Sequence, residues 1–127
     1  MLNRRSVSVV VSALVSALVL TALPAFAHHG WGGNAAEEFE ITGTVETAVS
    51  LAGPHATMKI KAQGQVWDIT LAPSARTARA GLTEGVIPVG AEVRIHGHRN
   101  SDKKRFEVKT ERVTWNGRTF NVYPDRS

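Results

Sequence analysis

The sequence predicts a mostly β chain: a small barrel of five to six strands with one short helix, preceded by an N-terminal signal peptide. In several segments after residue 38, hydrophobic residues alternate with polar ones at a period of two, as in half-buried strands. Turn pairs such as Gly53-Pro54 and Asn116-Gly117 separate those segments. An uncharged apolar run precedes them near the N-terminus, which is typical of an exported protein.

Residues 1–27 are organised like a secretory signal peptide. Arg4 and Arg5 begin it, an apolar run follows, and an Ala-x-Ala site ends at Ala27. We therefore expect a mature chain that starts at His28, is periplasmic or secreted, and has no membrane attachment after cleavage. An uncleaved anchor is the alternative, because the run is near the lower length limit for a span. The small-residue site and a proline near the end of the run favour cleavage.

Cleavage leaves about 100 residues, enough for one compact core. We assign 28–37 to a flexible, glycine-rich N-terminal arm and 38–127 to the barrel domain. Losing the two signal-peptide arginines lowers the formal charge from +4 to +2, so we expect no nucleic-acid partner. The chain has no cysteine, which excludes disulfides and thiolate metal ligands.

The first half of the domain predicts three strands and a helix. Residues 39–49 alternate as one long strand, and Gly43 in its middle indicates a bend or bulge. Residues 57–62 and 66–71 alternate on either side of a Gln-Gly turn and form a hairpin. Residues 73–80, which begin with proline and precede a glycine, predict one short helix.

The second half predicts the remaining strands. Residues 91–98 form the fourth strand, and residues 105–115 form the fifth, in which the alternation changes phase and predicts a bulge at 110–112. Asn116-Gly117 then predicts a tight hairpin into a closing strand over 118–123. Three strands, a helix and two or three strands match a Greek-key barrel of the oligonucleotide/oligosaccharide-binding (OB) type. An SH3-like barrel or a small sandwich is the alternative.

Four short motifs are distributed along the whole predicted mature chain: Ala27-His28-His29-Gly30-Trp31, Gly53-Pro54-His55-Ala56, Trp67 with Leu71-Ala72-Pro73-Ser74, and Arg79-Ala80-Gly81-Leu82. Together they resemble Domain of unknown function 6152, a family of small exported bacterial proteins. The resemblance implies export and a β domain, and it brings no established activity. At Gly53 the sequence departs from the family, where asparagine commonly precedes the Pro-His pair.

The predicted N-terminus has the composition of a copper ligand. Cleavage after Ala27 would give His28 both a free amine and an imidazole, which can chelate one ion, and His29 could add a further nitrogen. Nitrogen ligands in a tetragonal arrangement suit Cu(II). An accidental pair of histidines is the alternative interpretation.

Two histidines on the fourth predicted strand form a second candidate. His96 and His98 are two residues apart, so both side chains leave the same face, with Cβ atoms roughly 6 to 7 Å apart. Because they share the polar face with Arg94, we expect them to be accessible rather than buried. His55, at a strand entrance, could approach the same region. An ordinary exposed strand face explains the pattern equally.

The sequence therefore favours an exported module that binds a transition metal, with copper first, through His28, His29, His55, His96 and His98. The alternative is a non-catalytic barrel that binds a sugar, peptide or protein partner without metal, with Trp31 as the ligand contact. We identify no catalytic residues, because the chain has no nucleophile elbow, no phosphate-binding loop and no distinctive carboxylate pair. Copper redox chemistry at the terminal histidine would be the enzymatic alternative.

Overall fold

The computed structural model describes residues 31–126. The chain divides into two units between Gly32 and Gly33, and the second unit holds every strand and helix described. In chain order the elements are β1 (Phe39–Ser50), β2 (His55–Ala62), β3 (Gln65–Pro73), α1 (Ser74–Arg79), β4 (Glu92–Arg99), β5 (Glu107–Trp115), β6 (Arg118–Asn121) and a final 3-10 turn (Pro124–Arg126).

The strands close into a five-stranded barrel. They follow the order β3-β2-β1-β4-β5-β6, and a parallel pairing of β3 with β5 completes the ring. All other neighbours are antiparallel, and β6 lies outside the ring as an extra strand on β5. With α1 between β3 and β4, this arrangement confirms the predicted OB-type Greek-key barrel.

Alternating side chains fill the barrel because every second strand residue points inward. The Trp67 ring is buried and donates its indole N–H to the Ala62 carbonyl at 3.2 Å. Leu82 and Ile87, from the loop after α1, add to the same core. The other large side chains that are almost fully enclosed include Met58, Ile60, Ile69, Leu71, Ile95 and Phe120.

The connections follow from their residues. Helix α1 starts at Ser74 and not at Pro73 as predicted, because Pro73 has an extended ψ of 145° and ends β3. The chain leaves the helix through Gly81 at φ +99°. Asn116 and Gly117 both have positive φ and form the predicted two-residue turn between β5 and β6. No helix among residues 31–126 is long and apolar enough to cross a membrane.

The predicted bulge in β5 is present, and it takes one residue out of the regular β4–β5 ladder. His96 pairs with Arg112 and Gly97 pairs with Thr110, so Glu111 is the extra residue between them. Its carbonyl accepts hydrogen bonds from the N–H groups of Val122 and Tyr123 instead of joining the β4 ladder. The bulge thereby frees the Glu111 side chain from the regular alternation.

Two glycines allow strands to approach closely. A Cβ at Gly97 would lie 2.1 Å from the Lys109 carbonyl oxygen, and a Cβ at Gly43 would lie 2.6 Å from that of Lys61. The bulges of β1 come after Gly43, between Val45 and Ser50. The bend expected at Gly43 is therefore displaced toward the end of the strand, and the glycine itself provides room for β2.

Candidate metal centre

The candidate site forms where the start of β1, the end of β4 and the bulge of β5 meet. Antiparallel pairing places Phe39 opposite Gly97 and Glu40 opposite His96, so Glu38 comes next to His98. The β5 bulge adds Glu111 from the other side of β4. Glu38, His98 and Glu111 each offer a ligand atom, and these atoms all lie within 4.8 Å of one another.

The His98 imidazole is oriented by the chain segment before β1. Its Nδ1 donates to the Ala35 carbonyl at 2.9 Å, because a carbonyl oxygen can only accept. Further hydrogen bonds, from the Asn34 side-chain amide to the His98 carbonyl and from the Ala35 N–H to the Arg99 carbonyl, attach this segment to β4. The contact with Ala35 fixes the tautomer, as backbone carbonyls commonly do for metal-bound histidines.

The other imidazole nitrogen faces two carboxylates. His98 Nε2 lies 3.0 Å from Oε2 of Glu38 and 3.0 Å from Oε2 of Glu111. Three lone-pair atoms converge there, so a proton or a metal ion must lie between them for the contact to be favourable. Two ligands at a right angle and about 2.1 Å from an ion are about 3.0 Å apart, so the observed spacing is compatible with direct coordination.

Glu111 is the most buried carboxylate of the site, with 1% exposure. Its Oε1 is buried and has no hydrogen-bond partner. The nearest cations are Arg126, whose Nε is 3.5 Å from Oε2, and Arg112, whose Nη1 is 3.9 Å from Oε1. Both contacts are longer than hydrogen bonds, and a buried carboxylate oxygen without a hydrogen bond is costly, so this arrangement favours an additional cation.

His96 completes the surroundings of Glu38. Its Nε2 lies 2.7 Å from Oε1 of Glu38, and this hydrogen bond is the main reason why the pKa of Glu38 is below its ordinary value. Partial burial opposes that shift, while the charges of His96, His98 and Arg112 add to it. Glu38 is therefore ionised at neutral pH, as a metal ligand requires.

The structure brings His96 and His98 together on the two oxygens of Glu38, as their spacing suggested. His98 is 7% exposed, so the expectation of an accessible side chain is wrong for this residue. Glu38, Glu111 and the segment containing Ala35 enclose it.

The other predicted ligands are placed elsewhere or are not described. His55 opens β2 opposite Pro73, and it is absent from the group of ligand atoms found among residues 31–126. Burial and the charge of Lys109 lower the pKa of His55. His28 and His29, like the predicted signal peptide, lie outside the described residues, and Trp31 is half-buried in a turn.

Sequence reasoning missed both carboxylates of the site. Glu38 follows from the pairing of β1 with β4, which the OB topology implies, but the register of that pairing is not visible in the sequence. Glu111 lies within the predicted bulge at 110–112, and that bulge was the available signal.

A shallow cleft opens beside Glu38. Its volume is about 200 Å³, and Arg99 borders it while its guanidinium lies 4.8 Å from the centroid of the Trp67 ring. The other lining residues are Ala35, Glu37, Glu38, Phe39 and Lys103. A small molecule could reach the edge of the candidate metal centre through this cleft.

Fold and site together define a small OB-type β-barrel domain with a histidine–carboxylate cluster on one face. Residues 15–109 match the family of unknown function DUF6152, and the chain belongs to that family. No curated protein gives a significant match.

Two solved structures are similar to part of this chain. The ZRD-deleted mutant of TiaS in complex with agmatine is 11% identical, with a TM-score of 0.50 over 67% of this chain and 26% of that chain. Apo TiaS, a tRNAIle2 agmatidine synthetase, is 13% identical, with a TM-score of 0.48 over 61% of this chain and 18% of that chain. The chain thus spans about a quarter or less of those structures, and at this identity the likeness concerns the fold alone.

Proposed function

We propose that this protein is an exported metal-binding module whose barrel holds a divalent transition-metal ion between His98, Glu38 and Glu111. One observation carries the proposal: His98 Nε2 lies 3.0 Å from an oxygen of each carboxylate while Nδ1 is already committed to Ala35. One neutral imidazole and two carboxylates would neutralise the charge of a divalent ion. The remaining coordination positions would be filled by water or by a ligand in the adjoining cleft.

Copper is the first candidate ion. The site offers nitrogen and oxygen ligands without sulfur, and Cu(II) binds such sets most strongly among the divalent first-row ions. Zn(II) accepts the same ligands and is the natural comparison. Mg²⁺ and Ca²⁺ prefer sites made only of oxygen ligands, so the imidazole disfavours them.

Export and the terminal histidines form a separate part of the proposal. The Arg4-Arg5 start, the apolar run and the Ala-x-Ala site support cleavage after Ala27 and a periplasmic or secreted location. A mature chain beginning with His28-His29 would then carry its own copper-binding amine and imidazole groups. Replacing His28 and His29 with alanine should abolish copper binding by the terminal imidazoles while leaving the barrel site intact.

Calorimetric titration with Cu(II) and Zn(II) tests the barrel site. We expect binding by the wild-type chain, loss with His98→Ala, and strong weakening with Glu111→Gln, because a neutral amide is a poor replacement for an anionic ligand. His55→Ala is the matched control, since it removes a barrel histidine outside the ligand group. These substitutions should be compared in an H28A/H29A background, which removes the terminal histidines.

A chain that binds neither metal would overturn the proposal. The alternative would then be a module for a sugar, peptide or protein partner, and the cleft bordered by Phe39 and Arg99 is the specific feature that favours it. Trp31 would remain the predicted contact for such a ligand. Screening oligosaccharides against wild type and Trp31→Ala would test that alternative.

A further inference from the structure

Both carboxylates of the candidate centre are directed toward two histidines. Glu38 has Oε2 3.0 Å from His98 Nε2 and Oε1 2.7 Å from His96 Nε2. Glu111 has Oε2 3.0 Å from His98 Nε2 and Oε1 4.0 Å from His96 Nε2. Each carboxylate therefore offers one oxygen to each histidine.

We propose that the centre is dinuclear, with Glu38 and Glu111 bridging two divalent transition-metal ions. His98 Nε2 would ligate the first ion and His96 Nε2 the second. Ions in two-metal sites lie about 3.5 to 4 Å apart, a spacing that bridging carboxylates commonly span. This inference rests on the proposed metal-binding function and adds the second ion and its ligand, His96.

The buried Oε1 of Glu111, whose nearest cation is Arg112 Nη1 at 3.9 Å, is the feature that favours a second ion over a single one. A single ion among Glu38, His98 and Glu111 uses Oε2 of Glu111 and leaves Oε1 without a hydrogen-bond partner in a residue that is 1% exposed. A second ion on the His96 side would give that oxygen its missing partner.

The neighbouring groups predict different affinities for the two ions. Glu40 lies 3.8 Å from Nδ1 of His96 and favours a cation on Nε2, as carboxylates behind metal-bound histidines do. Arg112 opposes binding of the second ion, because its positively charged Nη1 lies 3.9 Å from Oε1 of Glu111, the oxygen that would ligate this ion. The second ion should therefore bind after the first and more weakly, and Arg112→Gln should strengthen it.

The test counts ions per chain. The full chain with H28A and H29A, which removes the terminal histidines, is titrated with Zn(II) and measured by native mass spectrometry and calorimetry. We expect two ions per chain, one ion after His96→Ala, and two ions after His55→Ala. Circular dichroism confirms that each variant is folded.

Cu(II) electron paramagnetic resonance of the same H28A/H29A chain provides a second measurement, which needs no substitution in the barrel. Two Cu(II) ions bridged by the same carboxylates couple magnetically. Adding a second equivalent of Cu(II) should therefore reduce the signal of isolated Cu(II) ions instead of doubling it. One ion per chain, unaffected by His96→Ala, or two uncoupled Cu(II) signals would overturn the dinuclear centre and leave the single-ion proposal standing. Absence of any bound ion would overturn both.

Discussion

Replacing Gly97 with alanine should damage both the barrel and the metal centre. Gly97 lies between His96 and His98 on β4, and an added Cβ would meet the Lys109 carbonyl oxygen at 2.1 Å and the Thr110 Cα at 2.8 Å. Ordinary contacts of this kind begin at 3.4 Å, so β5 must move away by about 1 Å. That movement occurs one residue before Glu111 and would separate its carboxylate from His98.

The magnitude follows from the cost of such overpacking. An extra methyl group in a tightly packed position destabilises a domain by about 1 to 3 kcal/mol. For a domain of this size, each kcal/mol lowers the melting temperature Tm by about 4 to 8 °C. We therefore expect Gly97→Ala to lower Tm by about 4 to 24 °C and to weaken metal binding in the fraction that stays folded.

Thermal unfolding followed by circular dichroism, with and without Zn(II), measures both effects. Gly33→Ala is the matched control, because a Cβ there would have no atom within 4 Å and the backbone does not have positive φ. A Gly97→Ala variant with the same Tm as Gly33→Ala would contradict this expectation, because it would mean that β4 and β5 do not lie close together at Gly97.

Three further predictions concern the histidines and the N-terminus. Metal at about 100 times its dissociation constant should raise the free energy of unfolding by about 2.7 kcal/mol, and hence Tm by about 10 to 20 °C. Thermal unfolding should show that His98→Ala loses this gain and His55→Ala keeps it; equal gains would contradict the assignment. Burial and the charge of Lys109 lower the pKa of His55 in the folded state from its ordinary value of 6.5. Below about pH 6.5 the folded state therefore binds fewer protons than the unfolded state. The free energy of unfolding consequently falls as the pH drops below 6.5. Urea unfolding at about pH 5 and pH 7.5 should show a weaker pH dependence for His55→Gln than for wild type; an unchanged dependence would contradict the pKa direction. N-terminal sequencing of the exported protein should begin at His28, whereas a chain that keeps its signal segment would disprove cleavage after Ala27.

The barrel was predictable because its strands are half-exposed. A strand with one face in the core and one in solvent alternates in sequence, and residues 39–49, 57–62 and 66–71 show this directly. The change of phase before Val113 located the bulge, and Asn116-Gly117 located the last hairpin, since few residues other than glycine and asparagine adopt positive φ.

The site was predictable only in part. The spacing of His96 and His98 placed both on one face, but the sequence does not specify which strand residues lie opposite them. Glu38 reaches His98 through the β1–β4 register, and Glu111 does so through a bulge that the pattern located only to within three residues. For the same reason the burial of His98 was missed, because residues distant in the sequence enclose it.

Anomalous X-ray scattering from crystals of the metal-loaded protein would locate the ion of the barrel site. We expect a peak about 2.1 Å from His98 Nε2 and within bonding distance of the Glu38 and Glu111 carboxylates. A metal-loaded crystal in which this position shows no peak, or in which the metal lies only at other residues, would contradict the proposed site.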